Sequence, residues 1–156
     1  MYKLNFNRFV ISKPFSLKIN YDQSLTAMIQ GVCTDGSCDD VTKNKFPFLE
    51  IGEVQLSAVL FIFKRLFRTE EIVGMIRILD FELPRIEHIL ALHQNANDVL
   101  KPCVAIPALA SMCRGSDQML SITVLFNRFK MIYLNLIHYR YNEWSKRCRF
   151  LALCPN

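Results

Sequence analysis

The chain has 156 residues, of which 51% are hydrophobic, with only five glycines and six prolines. This composition excludes collagen-like and disordered proteins and supplies enough apolar side chains for a sizeable core. The longest apolar run, Ala58–Phe63, is much shorter than the about 18 to 20 residues that cross a membrane. Residues 1–11 lack the apolar segment of a secretory signal. We therefore predict a globular, cytoplasmic protein.

The net charge of +5 is unevenly distributed along the chain. Residues 1–110 contain twelve Lys or Arg and twelve Asp or Glu, whereas residues 111–156 contain seven basic residues and two acidic ones. The whole basic excess therefore lies in the last third. Such an excess is typical of a surface that meets phosphate-bearing partners, and it also occurs on ordinary solvated faces.

The first predicted strand is Phe15–Tyr21, where apolar and polar residues alternate. A short helix is predicted at Ser24–Gln30, with Ser24 as its N-cap, followed by a polar loop at Gly31–Phe46. Glu53–Phe63 is a long β-rich run that is apolar along one face and, towards its end, along the other. We expect this strand to be central in its sheet and covered by helices.

Two helices are predicted after this strand. The first opens at Thr69, which would be its cap, with Glu70 and Glu71 near the positive end of the helix dipole. The second begins at Pro84, because proline is tolerated in a first turn. Its inward-facing stripe consists of Ile86, Ile89, Leu90 and His93.

The chain beyond Pro102 is rich in β-forming residues, and Arg114–Asp117 has the composition of a hairpin connection. The strands predicted there are Cys103–Met112, Leu120–Phe126, Met131–His138 and Cys148–Cys154. Because helices and strands are segregated, we predict an α+β fold rather than an alternating one. The prediction is one domain over residues 1–156, with two to three short helices on a mainly antiparallel sheet and a β-rich C-terminal third.

The six cysteines raise the question of a metal site. Cys33 and Cys38 have a spacing that zinc ligands use, and His88 and His93 are the other candidate ligands. The two histidines are five residues apart, so on a helix they point about 140° away from each other. We predict no metal site and mostly reduced thiols, which leaves open a local pairing of Cys33 with Cys38.

No catalytic motif can be identified. Cys148 is flanked by Arg147 and Arg149, but neighbours in a strand point to the opposite face from the thiol. The carboxylate pairs Asp39-Asp40 and Glu70-Glu71 are adjacent residues that do not converge on one substrate. Glycine-rich phosphate-binding motifs are missing from the sequence. We therefore predict no catalytic residue and no cofactor.

One segment near the C-terminus combines aromatic and basic residues and contains the single tryptophan. Such a surface can stack on bases or anchor a protein partner, whereas the alternative is a loop whose aromatic rings fold back onto the core. The predicted binding residues are Tyr139, Arg140, Tyr141, Trp144, Lys146, Arg147 and Arg149. Three functions follow: a non-enzymatic binding or protein-interaction module, a nucleic-acid-binding protein that uses the same residues, or an enzyme with an unrecognised site.

Several short motifs occur in a defined order along most of the chain. They are Pro14–Tyr21, Met28–Ile29, Phe46–Pro47, Glu53–Leu60, Phe63–Arg65, Leu83–Leu92, Val104–Cys113 and Trp144–Leu153. This order resembles a family of uncharacterised bacterial proteins, known mainly from environmental and candidate-phylum genomes, whose members end in a W…RFLAV(R)-like motif. The chain departs from that pattern at Pro84–His88, at Ala110–Cys113 and in its final Cys154–Asn156. The resemblance implies no known activity.

The helix start of that family and its closing strand are also similar to C-type-lectin-like folds, which include sulfatase-modifying and phage variable domains. The resemblance therefore implies a C-type-lectin-like fold as an expectation. The loop calcium ligands of sugar-binding lectins are not evident in this sequence. The catalytic cysteines of the sulfatase-modifying group cannot be placed in it either.

Overall fold

A computed structural model of the protein describes residues 6–34, 41, 46–48, 50–95, 100, 105–128, 130–140 and 143–155. These residues form three α-helices and several antiparallel sheets, which confirms the predicted α+β class. The strands are β1 Phe9–Ile11, β2 Phe15–Asn20, β3 Glu53–Phe63, β4 Phe67–Arg68, β5 Ala105–Arg114, β6 Leu120–Arg128, β7 Met131–His138, β8 Glu143–Trp144 and β9 Phe150–Leu153. The helices are α1 Leu25–Val32, α2 Thr69–Ile78 and α3 Ile86–Asn95, preceded by a short 3-10 helix Phe6–Arg8.

The long strand β3 is the centre of the main sheet, as predicted. β1 and β2 pair in succession along one side of it, and β9 pairs along the other, all antiparallel. Leu17 lies opposite Leu56, and Leu151 lies opposite Leu60. A second antiparallel sheet has the order β5–β6–β7, and β4 and β8 form a separate two-residue pair.

The main sheet separates two clusters of buried side chains, because both faces of β3 are apolar along its second half. One cluster, here called the aliphatic core, contains Leu17, Ile19, Ala58, Leu60, Leu151 and Leu153, and is covered by α1 and α3. The other, here called the aromatic core, contains Phe9, Phe61, Phe63, Phe67, Trp144 and Phe150, and is covered by α2. Many of the chain's phenylalanines are thus used for ring packing, such as the edge-to-face contact of Phe63 with Phe150 at 5.2 Å.

The starts of the first two helices show how local sequence determines capping. The Oγ of Ser24 accepts a hydrogen bond from the N–H of Ala27 at 3.1 Å, which confirms the predicted N-cap of α1. The predicted cap of α2 is wrong by one residue. Thr69 is already helical, and Arg68 is the N-cap, whose N–H donates to Glu71 at 2.9 Å.

Helix α3 begins at Ile86, two residues after the predicted start. Its first N–H, that of Ile86, donates to the Oγ of Ser111 at 2.8 Å. Ser111 lies in a bulge where the β5–β6 register shifts between Ala108 and Met112. Each residue of α3 from Ile86 to His93 is buried, so the helix is covered all round and not only along the predicted stripe.

β5, β6, β7 and β9 correspond to the four strands predicted after Pro102, whereas β8 was not predicted. Gly115–Met119 connects β5 to β6 as expected of a hairpin. The Oδ1 of Asp117 accepts the N–H of Met119 at 2.9 Å, a contact typical of turns. Most of the loop predicted at Gly31–Phe46 lies outside the described residues. Within the described helices, none is long and apolar enough to span a membrane.

Candidate functional site

An open cleft of about 430 Å³ lies beside the first turn of α3, above the main sheet. This volume falls in the range of small-molecule binding sites, about 300 to 1,000 Å³. Its walls come from segments that are distant in sequence: the end of β2, the loop before β3, β3 itself, the α2–α3 connection, the first turn of α3, the β5 bulge and the end of β9. The lining residues are Tyr21, Glu50, Val54, Leu56, Glu82, Leu83, Arg85, His88, Ala110, Leu153 and Cys154.

Arg85 is held between two carboxylates at the edge of the cleft. One terminal nitrogen of its guanidinium donates to both oxygens of Glu50, at 2.7 and 2.8 Å. Its Nε lies 2.7 Å from an oxygen of Glu87, although this contact is not aligned as a hydrogen bond. Glu87 is only 2% exposed, and burial raises its pKa against the opposing effect of Arg85. The guanidinium is therefore fixed in position and already paired.

His88 forms the floor of the cleft in its neutral form. The backbone N–H of Arg85 donates to its Nδ1 at 2.8 Å, so the ring proton must be on Nε2. That Nε2 lies 3.3 Å from the hydroxyl of Tyr21. Burial lowers the pKa of His88 to about 4, and burial followed by the charge of Glu50 raises the pKa of Tyr21. Both side chains are uncharged at neutral pH.

The loop that carries Glu50 is tied to the end of β2. The N–H of Tyr21 donates to the carbonyl of Gly52 at 2.9 Å, and the N–H of Gly52 donates to the Oδ1 of Asp22 at 2.9 Å. Gly52 has a backbone φ of 75°, a conformation that residues with a Cβ atom rarely adopt. The ring of Phe48 packs edge-on against Tyr21, with centroids 5.5 Å apart. These contacts hold Glu50 within reach of Arg85.

The structure corrects the prediction that Trp144 belongs to an exposed C-terminal surface. Trp144 is only 4% exposed and its ring packs edge-to-face on Phe150 in the aromatic core. Its Nε1–H donates to the Oγ1 of Thr69 at 2.9 Å. The hydroxyl predicted to cap α2 is therefore used by the tryptophan instead. The ring cannot stack on a partner without leaving the core.

The other predicted binding residues are divided among different environments. Tyr139 is half-buried against the aromatic core, and burial, with a smaller effect from Glu70, raises its pKa. Arg149 donates to the carbonyls of Lys146 and Cys148, both at 3.1 Å. Tyr141 lies outside the described residues. The side chains that remain at the surface are those of Arg140, Lys146 and Arg147.

A second concave surface, of about 350 Å³, lies over β6 and β7 next to Trp144 and includes Cys148 in its lining. The sulfur of Cys148 is 3.6 Å from the Oγ of Ser145. Burial raises the pKa of the thiol, despite smaller opposing effects from Ser145 and Arg128. An activated thiolate needs a lowered pKa, so this environment does the opposite of activating the cysteine.

The pairing of Cys33 with Cys38 that the sequence leaves open cannot be compared with the structure, because Cys38 lies outside the described residues. In the part of the chain that the structure describes, no three His, Cys, Asp or Glu side chains are grouped closely enough to hold a metal ion. His88 and His93 are both buried in α3, and His88 contacts Tyr21 as described above.

Sequence reasoning missed the cleft. Among the described residues its charged side chains are Glu50, Glu82 and Arg85, which form no recognisable motif because Glu50 comes from the loop before β3 and the other two from the α2–α3 connection. One local sign was present: Arg85 directly follows the Leu83-Pro84 pair at the start of a helix that also contains Glu87 and His88. Three ionisable residues at the start of a helix that is otherwise apolar up to Leu92 are a reason to examine that end of the helix.

Comparison with protein-family models found no match, and searches among curated proteins and solved structures also returned none. The similarity to an uncharacterised bacterial family and to C-type-lectin-like folds therefore stays a prediction.

Proposed function

We propose that this protein is a non-enzymatic binding module whose ligand occupies the cleft beside α3. The observation that carries the proposal is a preformed cleft of about 430 Å³ that combines apolar walls with a few fixed polar groups. Val54, Leu56 and Leu153 provide the apolar wall, and the paired Glu50 and Arg85 provide the polar edge. Ligand sites are typically built from this combination.

The buried polar groups at the cleft favour binding over catalysis. A general base needs an accessible lone pair, but Nδ1 of His88 is occupied by the N–H of Arg85 and its Nε2 carries the proton. The raised pKa of Tyr21 keeps its hydroxyl protonated. Glu87 is buried behind Arg85 and does not line the cleft. These groups are arranged to hold a fixed shape rather than to transfer protons.

A cleft-filling substitution tests the proposal directly. Ala110 lines the cleft on the β5 bulge, so Ala110→Phe should occupy the space that the ligand needs. Ala27→Phe, on the exposed face of α1, adds the same ring away from the cleft and is the matched control. Ligands are first found by two-dimensional NMR with a fragment library, as compounds that shift the resonances of cleft residues.

We expect Ala110→Phe to weaken those ligands by about tenfold or more, because the ring and the ligand cannot share the space. Ala27→Phe should leave their affinity unchanged. Equal affinity in both variants, with both proteins folded, would contradict a ligand site in this cleft. If the ligands found in the screen shift only the resonances of Tyr133 or Ser145, the ligand site lies at the second concave surface instead.

The second candidate function is nucleic-acid binding by the basic residues of the C-terminal third. It is favoured by the exposure of Arg140, Lys146 and Arg147 and by the charge excess of residues 111–156. Such binding must weaken steeply as salt concentration rises, because counterions are released from the phosphates. A fluorescence-anisotropy titration with single-stranded DNA at two salt concentrations tests it. A partner protein whose affinity is insensitive to salt would instead support an interaction module.

A further inference from the structure

Basic residues from two separate segments of the chain meet at one end of the β5–β6–β7 sheet. One segment is the end of β6, where Arg128 is the last residue of the strand. The other is residues 145–149, which are fixed at the same end because the N–H of Arg149 donates to the carbonyl of Ala105 at 3.1 Å. Ala105 lies opposite Phe126, which precedes Arg128 on the same strand. The fold therefore gathers cations here that are distant in sequence.

The positive charge at this end of the sheet is not balanced. The basic residues there are Arg128, Lys130, Lys146, Arg147 and Arg149, all exposed except the half-buried Arg149. In the part of the chain that the structure describes, no carboxylate lies within ion-pair distance of any of them. Glu143 lines the second concave surface, but its carboxylate lies 3.9 Å from the guanidinium of Arg68. A surplus of positive charge therefore remains for an anionic partner.

The second concave surface, of about 350 Å³, opens beside these cations, and Arg128 is one of its lining residues. Burial raises the pKa of the Cys148 thiol in this surface, while Ser145 and then the charges of Arg128 and Arg149 oppose that rise. Both guanidinium groups therefore act inside the concave surface and not only at its rim. Its volume is in the range of ligand sites, about 300 to 1,000 Å³.

The ring of Tyr133 gives the same surface an aromatic wall. Tyr133 is half-buried and lies stacked beside Phe126, with ring centroids 5.3 Å apart and an interplanar angle of 18°. The guanidinium of Arg128 lies over the ring of Phe126, 5.1 Å from its centroid. Asn135 adds an exposed carboxamide to the lining. Aromatic rings beside cations are typical of surfaces that bind single-stranded nucleic acid, where bases stack on the rings and phosphates pair with the cations.

We infer that the second concave surface binds a nucleotide unit of single-stranded nucleic acid, with a base against Tyr133 and the adjoining phosphate at Arg128. Lys130, Lys146 and Arg147 extend the positive charge beyond the concave surface, which suits a strand with several phosphates better than a single nucleotide. This inference rests on the second candidate function and locates it. It does not depend on the cleft beside α3.

Three ligands separate recognition of a base from attraction of negative charge: a short oligothymidylate, an abasic oligomer of the same length, and a polyglutamate peptide of the same net charge. Their affinities for the full chain are measured by fluorescence anisotropy at neutral pH and low salt. We expect the oligothymidylate to bind about tenfold more tightly than the other two, because it alone carries bases. Equal binding of the abasic oligomer or of the acidic peptide would overturn the inference.

Substitutions of Tyr133 test the stacking surface. Tyr133→Leu should weaken the oligothymidylate about tenfold and leave the abasic oligomer unchanged, whereas Tyr133→Phe keeps the ring and should bind like the wild type. Tyr139→Leu is the matched control, since Tyr139 is half-buried on the same strand but does not line the concave surface. If Tyr133→Leu weakens both oligomers equally, or no more than Tyr139→Leu does, the base does not stack there.

Substitution of Arg128 tests the phosphate contact. Arg128→Gln should weaken the oligothymidylate about three- to fivefold and make its affinity less dependent on salt. Arg114→Gln removes the same charge from an exposed position at the opposite end of the sheet, where Arg114 pairs with Leu120, and should have little effect. Equal losses in the two variants would mean that net charge, and not this site, attracts the strand.

Failure of this inference differs from failure of the second candidate function. If single-stranded DNA binds with steep salt dependence but is insensitive to the Tyr133 and Arg128 substitutions, the protein binds nucleic acid and the location is wrong. If single-stranded DNA does not bind even at low salt, both are wrong.

Discussion

The segment from Tyr139 to Arg149 contains residues that are close in sequence but do not share one surface. The cleft beside α3 is lined by residues that are far apart in sequence but do share one. The segment gathers aromatic and basic residues within a short stretch, yet Trp144 is buried in the aromatic core and Arg149 is bonded to backbone carbonyls. The cleft gathers Tyr21, Glu50 and Arg85 from positions far apart in the chain. In the segment, proximity along the sequence therefore did not indicate a shared surface. In the cleft, the sheet topology brings distant residues onto one surface.

The difference has a physical cause. A tryptophan ring gains more from burial than any other side chain, and the hydroxyl of Thr69 satisfies its only polar atom. Arg85 cannot be buried without partners, so the fold supplies Glu50 and Glu87 and keeps the group at the edge of a cleft. Four predictions, in decreasing order of their effect on stability, test this contrast.

The first concerns Trp144. Replacing Trp144 with Ala should lower the free energy of unfolding by about 3 to 5 kcal/mol, because it removes a ring from the aromatic core and leaves a cavity. Thr69→Val, which removes the partner of the indole N–H and keeps the shape, should cost about 1 to 3 kcal/mol. Urea denaturation followed by circular dichroism measures both. A change below about 0.5 kcal/mol for Trp144→Ala would restore the prediction of a surface anchor.

The second concerns the carboxylates around Arg85. Arg85→Met should lower the free energy of unfolding by about 2 to 3 kcal/mol, because Glu87 then lies buried without its partner. This figure is reduced from that of a fully buried pair, since the Arg85 side chain is 24% exposed. Arg85→Met combined with Glu87→Gln should recover most of the loss. Additive losses in the double variant would mean that the two residues are not coupled.

The third concerns the pH dependence of stability. The pKa of His88 is about 4 in the folded protein against an ordinary value of 6.5, so the unfolded chain binds more protons between these pH values. Stability due to neutral His88 is therefore present above pH 6.5 and is lost as pH falls towards 4. Between pH 7 and about 4.5 the loss from this residue should be roughly 2 to 3 kcal/mol.

The measurement compares the wild type with His88→Asn at the two pH values. The variant starts less stable but should lose less stability on acidification. His138→Asn is the control, because His138 is exposed and pairs with Asp117 at 2.7 Å at the surface. An identical acid-induced loss in wild type and His88→Asn would contradict a buried neutral His88.

The fourth prediction has the smallest effect on stability. Replacing both Lys146 and Arg147 with Ala should change the free energy of unfolding by less than about 0.5 kcal/mol, since both side chains are exposed. The same variant is informative about function. If the protein binds single-stranded DNA, the variant should bind more weakly and its affinity should depend less on salt. Unchanged DNA binding would exclude these two residues as the contact.

Much of the secondary structure could be predicted from the sequence because it depends on local rules. The alternation in Phe15–Tyr21 and the length of Glu53–Phe63 predicted β2 and the central β3, and Ser24 predicted the start of α1. Errors occurred where a distant residue decided the outcome. Thr69 is not the cap of α2, because Arg68 and Glu71 close that end, and its hydroxyl binds Trp144 instead.

The candidate cleft could not be predicted in the same way. Ser111 reaches the start of α3 only because β5 bulges there, and Glu50 reaches Arg85 only because the turn at Gly52 is fastened to the end of β2. Neither contact is accompanied by a hydrophobic periodicity or a motif that could be recognised in the sequence. Both depend on which strands lie side by side, and that is decided by the packing of the whole sheet.

Local sequence patterns were therefore sufficient to predict the α+β class, the central strand and the amphipathic or apolar character of each element, since hydrophobic periodicity and capping act over a few residues. Which polar residues are exposed depends instead on how the elements pack together. Trp144 is buried because one face of β3 is covered by the aromatic core, and Glu50 and Glu87 lie against Arg85 because separate segments of the chain meet there. Burial is a property of the assembled fold, so the residues that a ligand can reach become visible only there.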